Sequence, residues 1–300
     1  MAKNLTYQFT SAVENGFRPG MDKHSAKAES SETTYKIYSY GARSTMIDMS
    51  HLFGKYMKEN FPTIKQVRHI TVEHINSFLA AQKGVSKTTL SQYVSRLNKL
   101  ELCCEKKFGI DLDWKTGRIL PINEKERVRD VVFTDKQIAT LEKYFDSKKD
   151  CLSKDGYYLA KAFSLRASEV VNIRCFDVKL EQGILHIHSA KGGRHRDIEI
   201  RSQDVEMLKR LMEGKRPSEK LIPLRPDTIC CYINRACKKL GFNEIVAAKT
   251  SVHCLRKYTI TNYYKEKCKE VGTERARELA MLRLGHSKDR MDLFKTYIKL

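Results

Sequence analysis

Three short stretches near the end of the chain decide how the rest is interpreted: His253-Cys254-Leu255-Arg256, Leu284-Gly285-His286 and Tyr297. His253 and Arg256 are three positions apart, so they share one face if the stretch is helical. A glycine after an apolar residue is typical of a helix end. Imidazole and guanidinium groups bind phosphate oxygens, and a tyrosine hydroxyl can attack phosphorus. Each pattern is common by itself, and a lone tyrosine is ordinarily a packing residue.

Two upstream residues fit the same chemistry. Arg166 is followed three residues later by Glu169, which can hold the guanidinium rigid while it faces a phosphate. Lys191 precedes two glycines between strand-like runs, and a loop lysine of this kind can donate a proton to a leaving oxygen. Taken singly, Arg166 is most simply half of a surface ion pair and Lys191 a solvated lysine. The order and spacing of the whole set therefore carry the interpretation.

The charge balance favours a polyanionic partner. The 300-residue chain has 56 lysines and arginines against 36 acidic residues, which gives a formal net charge of +20. The excess is spread over both halves of the chain, so both halves have reason to face nucleic acid. The charge alone leaves open a basic protein whose lysines are merely solvated.

The remaining composition favours a protein of the bacterial cytoplasm or nucleoid. The N-terminus lacks the apolar run of a signal peptide, and no stretch approaches the ~20 apolar residues of a membrane span. The nine cysteines are scattered without C-x-x-C spacing, which predicts reduced thiols, no metal site and no cofactor. A Lys- and Ile-leaning composition indicates an A·T-rich genome, as in many bacterial mobile elements.

The first part of the chain reads as an arm followed by a helical bundle. Residues 1–35 are polar and contain glycine and proline breakers, so we expect a mobile or loosely packed arm. Residues 36–118 are expected to form a small all-helical domain, with one helix from about Ala42 and two more capped by Thr71 and Ser86.

Two faces of these helices are informative. The apolar face of the first helix is predicted to be Met46, Met49, Leu52, Phe53 and Tyr56. The third helix is expected to turn small hydroxyls and cations outward, which suits contacts to DNA phosphates. The predicted DNA-contacting residues are Lys87, Thr88, Ser91 and Arg96, together with Arg194 in the second domain. A solvated helix face is the alternative for each of them.

The second part of the chain predicts a mainly helical domain with one β interruption. Residues 119–132 are rich in charge and contain proline, so they are expected to form a linker to a domain at 133–300. A β-hairpin is predicted at 183–200, around Lys191, and a helix is expected to begin after Thr134. Further helices are predicted at 203–213, 226–240, 251–268 and 274–284. The fold class is therefore mainly α with a small β-sheet in the C-terminal domain (α+β).

In order and spacing, these motifs resemble the tyrosine recombinase (phage-type integrase) family. The resemblance covers residues of about 130–300 and, more loosely, about 40–115, where the bundle looks like that family's SAM-like core-binding domain. The eleven-residue step from His286 to Tyr297 is about two residues longer than the family's usual gap. We therefore expect a reshaped segment before the tyrosine.

The resemblance implies six catalytic residues supported by Glu169: Arg166, Lys191, His253, Arg256, His286 and Tyr297. Tyr297 would attack the scissile phosphate, giving a 3′-phosphotyrosyl ester and a free 5′-hydroxyl. The two arginines and His286 would stabilise charge on the phosphate oxygens. Lys191 would protonate the leaving oxygen, and His253 would exchange a proton with the tyrosine hydroxyl. This chemistry uses side chains in place of a metal ion or ATP.

The implied activity is site-specific recombination for integration or excision of a mobile element. The implied partners are double-stranded DNA at specific sites, three further copies of the chain in a tetramer, and accessory DNA-bending or directionality factors. Two alternatives stay open. One is a type IB topoisomerase-like enzyme that nicks and reseals DNA without exchanging strands, and the other is a catalytically silent DNA-binding regulator.

Overall fold

The computed structural model describes residues 4–21, 34–115, 130–188, 195–288 and 291–299, with only the backbone for residues 291 and 292. Lys191, Arg194 and most of the expected linker lie outside the described residues. The chain divides into two compact units, residues 1–128 and 129–300. Where described, both units are mainly helical and the second contains a small antiparallel sheet, which confirms the predicted fold class.

The described part of the N-terminal unit contains four α-helices: α1 (Leu5–Gly16), α2 (Tyr40–Asn60), α3 (Val72–Ala81) and α4 (Lys87–Phe108). Three of them begin at a hydroxyl-bearing N-cap, which satisfies a backbone N–H that the helix itself cannot pair. The caps are Ser39 for α2, Thr71 for α3 and Ser86 for α4. The predicted caps at Thr71 and Ser86 are confirmed.

Aromatic side chains form the centre of the N-terminal unit. The Phe9 and Phe53 rings stack with centroids 5.4 Å apart, and Trp114 meets both edge-on at 6.2 Å. The Trp114 indole nitrogen donates to the Ile70 carbonyl at 3.1 Å, so its polar group is paired inside the core. Trp114 therefore joins the segment after α4 to α1 and α2.

The expectation of a polar arm over residues 1–35 is wrong for its first half. Helix α1 buries Leu5, Phe9, Ala12 and Val13 in the core of the N-terminal unit. These positions follow the helical spacing i, i+4, i+7, i+8. The prediction was based on the average composition of residues 1–35, in which the Ser-, Lys- and Glu-rich stretch after residue 21 dominates. A smaller correction concerns Leu52, which is 38% exposed because it lies at the edge of the apolar face of α2.

The described part of the C-terminal unit contains nine α-helices: α5 (Asp135–Asp146), α6 (Leu152–Phe163), α7 (Ala167–Val170), α8 (Ser202–Met212), α9 (Pro226–Lys239), α10 (Asn243–Ala247), α11 (Ser251–Val271), α12 (Thr273–Arg283) and α13 (Met291–Tyr297). Thr134 caps α5 as predicted. The four later helices predicted from periodicity are confirmed, with α11 three residues longer than expected. Among the described residues, no helix combines the length and apolar character that a membrane span needs.

The sheet of the C-terminal unit is a three-stranded antiparallel meander. Its strands are β1 (Val178–Lys179), β2 (Ile184–Ile187) and β3 (Arg196–Glu199), in that spatial order. Leu185 pairs with Ile198 in the β2–β3 register, and both side chains are buried. The predicted hairpin is confirmed, and β1 is an addition that the sequence did not reveal.

Helix α11 joins two apolar clusters of the C-terminal unit. Its first turns place Val252, Cys254 and Leu255 in the main core, which also contains α5–α9 and the sheet. Its middle turns place Ile260 and Tyr264 in a smaller cluster with α12 and α13. The helix that carries His253 and Arg256 is thus fixed on both sides.

The burial of α1 yields a stability prediction. Phe9→Ala should destabilise the N-terminal unit by about 3–5 kcal/mol, because the truncation leaves a cavity against Phe53 and Trp114. Trp114 is the only tryptophan in the chain, so its fluorescence during urea denaturation reports on this unit. Tyr7→Ala, at a 46% exposed position of the same helix, should cost about 0.5 kcal/mol. Equal effects of the two substitutions would show that α1 is not part of the core.

Candidate active site

A buried carboxylate, that of Glu169, lies at the centre of the candidate site. Arg166 is the N-cap residue of the short helix α7, and Glu169 is its third residue. The Arg166 backbone N–H donates to Glu169 Oε2 at 2.9 Å, and Arg166 Nη1 donates to Oε1 at 2.7 Å. Glu169 is only 2% exposed, so the alternative of a simple surface ion pair is wrong.

Two further arginines bind the same carboxylate. Arg256 Nη1 donates to Oε2 at 3.1 Å, and Arg196 donates through both Nη atoms at 3.1 and 2.9 Å. Burial by itself would raise the pKa of the Glu169 carboxyl, but hydrogen bonds from Arg196 and the charges of Arg256 and Arg196 lower it to about 2. Three guanidinium groups therefore share one carboxylate, which leaves a surplus of two positive charges.

Arg256 is held almost completely out of water. The residue is 1% exposed, and its Nη atoms also donate to the Ser164 carbonyl at 2.6 Å and the Leu284 carbonyl at 2.7 Å. Its Nε has no hydrogen-bond partner among the described residues. Burial, and then the charge of Arg166, lower the pKa of the Arg256 guanidinium to about 9, so it stays protonated at neutral pH.

The carbonyls that bind Arg256 come from two helix ends. Ser164 is the C-cap residue of α6 and adopts a left-handed backbone conformation with φ of 53°. Leu284 is the C-cap residue of α12. Carbonyls in the last turn of a helix lack an intrahelical partner and carry a partial negative charge. The guanidinium therefore satisfies groups that both helices leave unpaired.

Arg196 belongs to the candidate site, and the sequence analysis missed it. It lies on β3, and its Nε donates to the Arg283 carbonyl at 2.9 Å while its Nη atoms bind Glu169. The sequence did contain a signal. On a strand, Arg196 shares a face with Ile198 and Ile200, and a charged residue on an apolar face needs a buried partner.

Gly285 leaves the space that Arg196 occupies. Helix α12 ends in a Schellman arrangement, in which the Gly285 N–H donates to the Leu282 carbonyl and the His286 N–H to the Met281 carbonyl. Gly285 has φ of +73°, and a Cβ atom there would lie 2.9 Å from Arg196 Nη1. The helix end thus allows the Arg196 guanidinium to reach Glu169 and directs the chain to His286.

Tyr297 lies beside the cationic cluster. It is the last residue of α13 and is 7% exposed. Its ring centroid is 5.2 Å from that of His253 and 5.5 Å from that of His286, and Arg256 Cζ is 5.8 Å from it. His286 Nε2 in turn lies 3.4 Å from Arg166 Nη2. The longer step from His286 to Tyr297 therefore still returns the tyrosine to the site.

A cleft of about 360 Å³ opens onto this cluster. Arg166, His253 and Arg256 line it, together with the first residues of α11. The N-terminus of a helix carries a partial positive charge, which adds to the surplus of the guanidinium groups. The cleft therefore favours an anion.

The structure brings together most of the predicted site and leaves part of it undescribed. Five predicted catalytic residues meet around Glu169: Arg166, His253, Arg256, His286 and Tyr297. Lys191 and Arg194 lie outside the described residues. Of the residues predicted to contact DNA on α4, Lys87, Thr88 and Ser91 are exposed and Arg96 is half-buried.

The model of the phage integrase family matches residues 111–297, more than half of the chain. The chain belongs to this family, the tyrosine recombinases. The matched range contains every position that the sequence analysis predicted to be catalytic.

Individual members of the phage integrase family are distant from this chain. The tyrosine recombinase XerA of Saccharolobus solfataricus is 21% identical over 193 residues, which cover 60% of this chain and 62% of the relative. A tyrosine recombinase of Thermosipho africanus is 22% identical over 201 residues, covering 63% and 70%. The aligned part therefore spans less than two thirds of the XerA relative.

Solved structures of this family share the fold. XerH site-specific recombinase bound to palindromic difH substrate superimposes with a TM-score of 0.63 and 14% identity, over 99% of this chain and 91% of that one. A lambda integrase tetramer bound to a Holliday junction gives a TM-score of 0.59 and 17% identity, over 94% and 78%. At these identities, the likeness shows the fold alone.

The Gly285 geometry yields a prediction with an internal control. Gly241 closes α9 with the same pair of hydrogen bonds and φ of +72°, but nothing lies within 4 Å of a Cβ atom placed there. Gly241→Ala should therefore cost only the left-handed backbone strain, about 1–2 kcal/mol. Gly285→Ala should cost more in thermal or urea unfolding, because the methyl group displaces Arg196 from Glu169. Equal costs would show that the close approach to Arg196 is unimportant.

The depressed pKa of Glu169 predicts a pH dependence of stability. Because the folded pKa is about 2 and the ordinary value is 4.5, the stabilisation is complete above pH 4.5 and is lost as the pH falls towards 2. The free energy of unfolding should fall by roughly 3 kcal/mol from this group over that range. Glu169→Gln should flatten this part of the profile and cost about 3–5 kcal/mol at pH 7, since it leaves buried arginines unpaired.

The control for this prediction is Glu278→Gln, which removes an exposed pair with Arg275 on α12. It should lower the free energy of unfolding by less than about 1 kcal/mol and leave the loss of stability between pH 4.5 and 2 unchanged. Circular dichroism during urea denaturation between pH 2 and 7 measures both variants. If the free energy of unfolding of Glu169→Gln fell with decreasing pH as steeply as that of the wild type, the pH dependence could not be assigned to Glu169.

Proposed function

We propose that this chain is a tyrosine-type site-specific DNA recombinase that cleaves and rejoins DNA through a 3′-phosphotyrosyl intermediate. The observation that carries the proposal is the position of Tyr297, whose ring lies against His253, His286 and Arg256. A tyrosine that served only as a packing residue would be expected to contact apolar side chains alone, and not two imidazoles and a buried guanidinium. Membership of the phage integrase family supports the same activity.

The charge of the cluster supports a phosphodiester as the ligand. Glu169 offers about four lone-pair positions and already accepts five hydrogen bonds from arginines. The arginines therefore retain donors and positive charge that Glu169 cannot neutralise. Arg256 keeps its Nε–H and one hydrogen of Nη2, which leaves two donors for phosphate oxygens.

The proposed reaction begins with attack of the Tyr297 hydroxyl oxygen on the scissile phosphorus. The new O–P bond replaces the bond to the 5′ oxygen, which leaves as a hydroxyl after receiving a proton from Lys191. His253 takes the phenolic proton. Arg166, Arg256 and His286 stabilise the added charge on the non-bridging oxygens of the five-coordinate transition state. Glu169 and Arg196 hold these donors in place and exchange no proton.

Strand exchange follows from the same intermediate. The phosphotyrosyl ester keeps the energy of the broken bond, so a 5′-hydroxyl from a partner duplex can attack it and release Tyr297. Two such rounds recombine two sites, which requires four copies of the chain on two duplexes. Solved relatives bound to DNA, one of them a tetramer on a Holliday junction, support this arrangement. Accessory DNA-bending or directionality factors complete the proposal.

The two units divide the work in this proposal. Residues 36–118, extended by α1, act as the core-binding domain, residues 119–132 as the linker and residues 133–300 as the catalytic domain. The exposed outer face of α4, with Lys87, Thr88 and Ser91, contacts phosphates of the duplex.

The alternatives differ from this proposal in measurable ways. A type IB topoisomerase-like enzyme would form the same covalent adduct but relax any supercoiled plasmid without a second site. A catalytically silent regulator would bind DNA with a salt-dependent affinity and form no adduct. The filled set of Arg166, His253, Arg256, His286 and Tyr297 argues against the regulator.

The proposal predicts that Tyr297→Phe abolishes covalent capture of DNA. The substrates are nicked duplexes that tile the DNA flanking the gene, and the readout is a detergent-resistant adduct on a denaturing gel. Wild-type protein should form an adduct whose peptide maps to Tyr297, because the nick prevents religation. Removal of one oxygen atom should leave DNA binding within about twofold while the adduct disappears.

Tyr264→Phe provides the matched control, since Tyr264 is the other buried tyrosine in the same apolar cluster. It should form the adduct at the wild-type level. An adduct that survives Tyr297→Phe, or one that maps to another residue, would remove the nucleophile assignment. Absence of an adduct with every duplex would favour the regulator.

A further inference from the structure

Three imidazoles form a second cluster on the outer face of the β2–β3 hairpin. One potential ligand nitrogen from each of His186, His188 and His195 lies within 4.8 Å of the other two. Their ring centroids are 4.2, 6.0 and 5.8 Å apart. The catalytic chemistry proposed above uses none of these residues.

The strand geometry explains why the three side chains meet. His186 pairs with Asp197 across the β2–β3 ladder. His188 is two residues beyond His186, and His195 is two residues before Asp197, so the alternation of a strand places all four on one face. Arg196 lies between them in sequence and points to the opposite, buried face, where it binds Glu169.

We propose that His186, His188 and His195 bind one divalent transition-metal ion of the zinc class. Three imidazole ligands with a remaining position for water form a recurrent zinc arrangement, with Zn–N distances of about 2.0–2.1 Å. Tetrahedral ligands at that distance lie roughly 3.4 Å apart, so nitrogens already within 4.8 Å need only small rotations of one half-buried and two exposed side chains. Imidazole favours zinc, copper and nickel over magnesium and calcium.

The surroundings of the histidines supply the usual second layer of a metal site. His188 Nε2 is 2.6 Å from Asp177 Oδ1, and His186 Nδ1 contacts Asp197 Oδ1. Metal-binding histidines commonly donate their other ring N–H to a carboxylate, which fixes the ring and raises the basicity of the ligand nitrogen. The contact of His186 with Asp197 has hydrogen-bond geometry and leaves Nε2 of His186 for the metal, whereas the contact of His188 with Asp177 is close without that geometry.

The same carboxylates argue against an anion at this cluster. A phosphate group would need protonated imidazoles and would meet the charges of Asp177 and Asp197 at close range. A divalent cation is instead attracted by both carboxylates. The absence of C-x-x-C spacing led to the expectation of no metal site, but that expectation considered cysteines and overlooked His-x-His on a strand.

A bound ion would join the two ends of the segment 189–194. His188 immediately precedes this segment and His195 immediately follows it. The ion would therefore link β2 to β3 by coordination at the point where the described hydrogen-bonded pairs stop. This inference does not depend on the recombinase activity, and its test measures binding only.

The test uses the full chain, expressed without a polyhistidine tag, stripped with a chelator and dialysed. Calorimetric titration with Zn²⁺ should give one equivalent bound. Titration with Co²⁺ should give the strong visible bands of a tetrahedral site, without the near-ultraviolet band that thiolate ligands produce. No bound ion, or a thiolate band that identifies a cysteine site, would overturn the proposal.

Variants separate the cluster from other histidines. The double substitution His186→Ala/His188→Ala should weaken Zn²⁺ binding by more than about 100-fold, since each change removes a ligand. His51→Ala/His69→Ala removes two exposed histidines elsewhere and should bind as the wild type does. Equal affinity in the two double variants would overturn the proposal.

A third variant tests the carboxylate contact and remains informative if the double variant misfolds. Asp197→Asn changes a side chain that is 57% exposed and keeps all three histidines. It should weaken Zn²⁺ binding by about 10–100-fold, with an unchanged circular dichroism spectrum. Unchanged Zn²⁺ affinity in Asp197→Asn would contradict the assigned role of this carboxylate. If His186 and His188 served only to contact Asp197 and Asp177, the wild-type protein would bind no zinc.

Discussion

The ion cluster around Glu169 is the interaction on which the candidate site depends. An ionised carboxylate that is 2% exposed is costly unless it is paired, and here five hydrogen bonds from three arginines pair it. The pairing is also incomplete in charge, because one carboxylate cannot neutralise three guanidinium groups. The cluster is therefore stable enough to exist and still cationic enough to attract an anion. Both properties follow because three guanidinium groups share one carboxylate.

Backbone carbonyls also hold this cluster together. The C-terminal carbonyls of α6 and α12 bind Arg256, and the Arg283 carbonyl binds Arg196. Guanidinium groups usually require carboxylate partners when buried, but helix ends provide neutral acceptors with a partial negative charge. Additional carboxylates in these places would have neutralised the site. By using carbonyls, the fold fixes two arginines without removing their charge.

Much of this arrangement could be predicted from the sequence, and the exceptions have physical causes. Caps at Thr71, Ser86 and Thr134 and the hairpin were predictable because they depend on local sequence. The resemblance to the family selected five residues that the structure brings together. Arg196 was missed because its partner, Glu169, is 27 residues away and only the tertiary fold pairs them.

Averaging caused one further miss, and the histidine cluster was not considered at all. Helix α1 was assigned to a polar arm because the composition of 35 residues concealed the periodicity of the first 16. The histidine cluster escaped attention because a zinc site was judged by cysteine spacing. In both places the decisive signal was a short-period pattern, 3.6 residues on the helix and two on the strand.

The position of Tyr297 depends on a different force from that of the arginines. Helix α13 carries the tyrosine, and its Phe294 ring packs against Tyr264 of α11 at 5.2 Å. Apolar contacts with Ile260, Ala280 and Leu284 complete the cluster. These apolar contacts do not involve the phenolic oxygen, so this packing of Tyr297 does not depend on its hydroxyl group. The electrostatic cluster holds the groups proposed to bind phosphate, and apolar packing brings the proposed nucleophile to them. The two sets of contacts meet only where the Arg256 guanidinium, which binds Glu169, lies 5.8 Å from the centre of the Tyr297 ring.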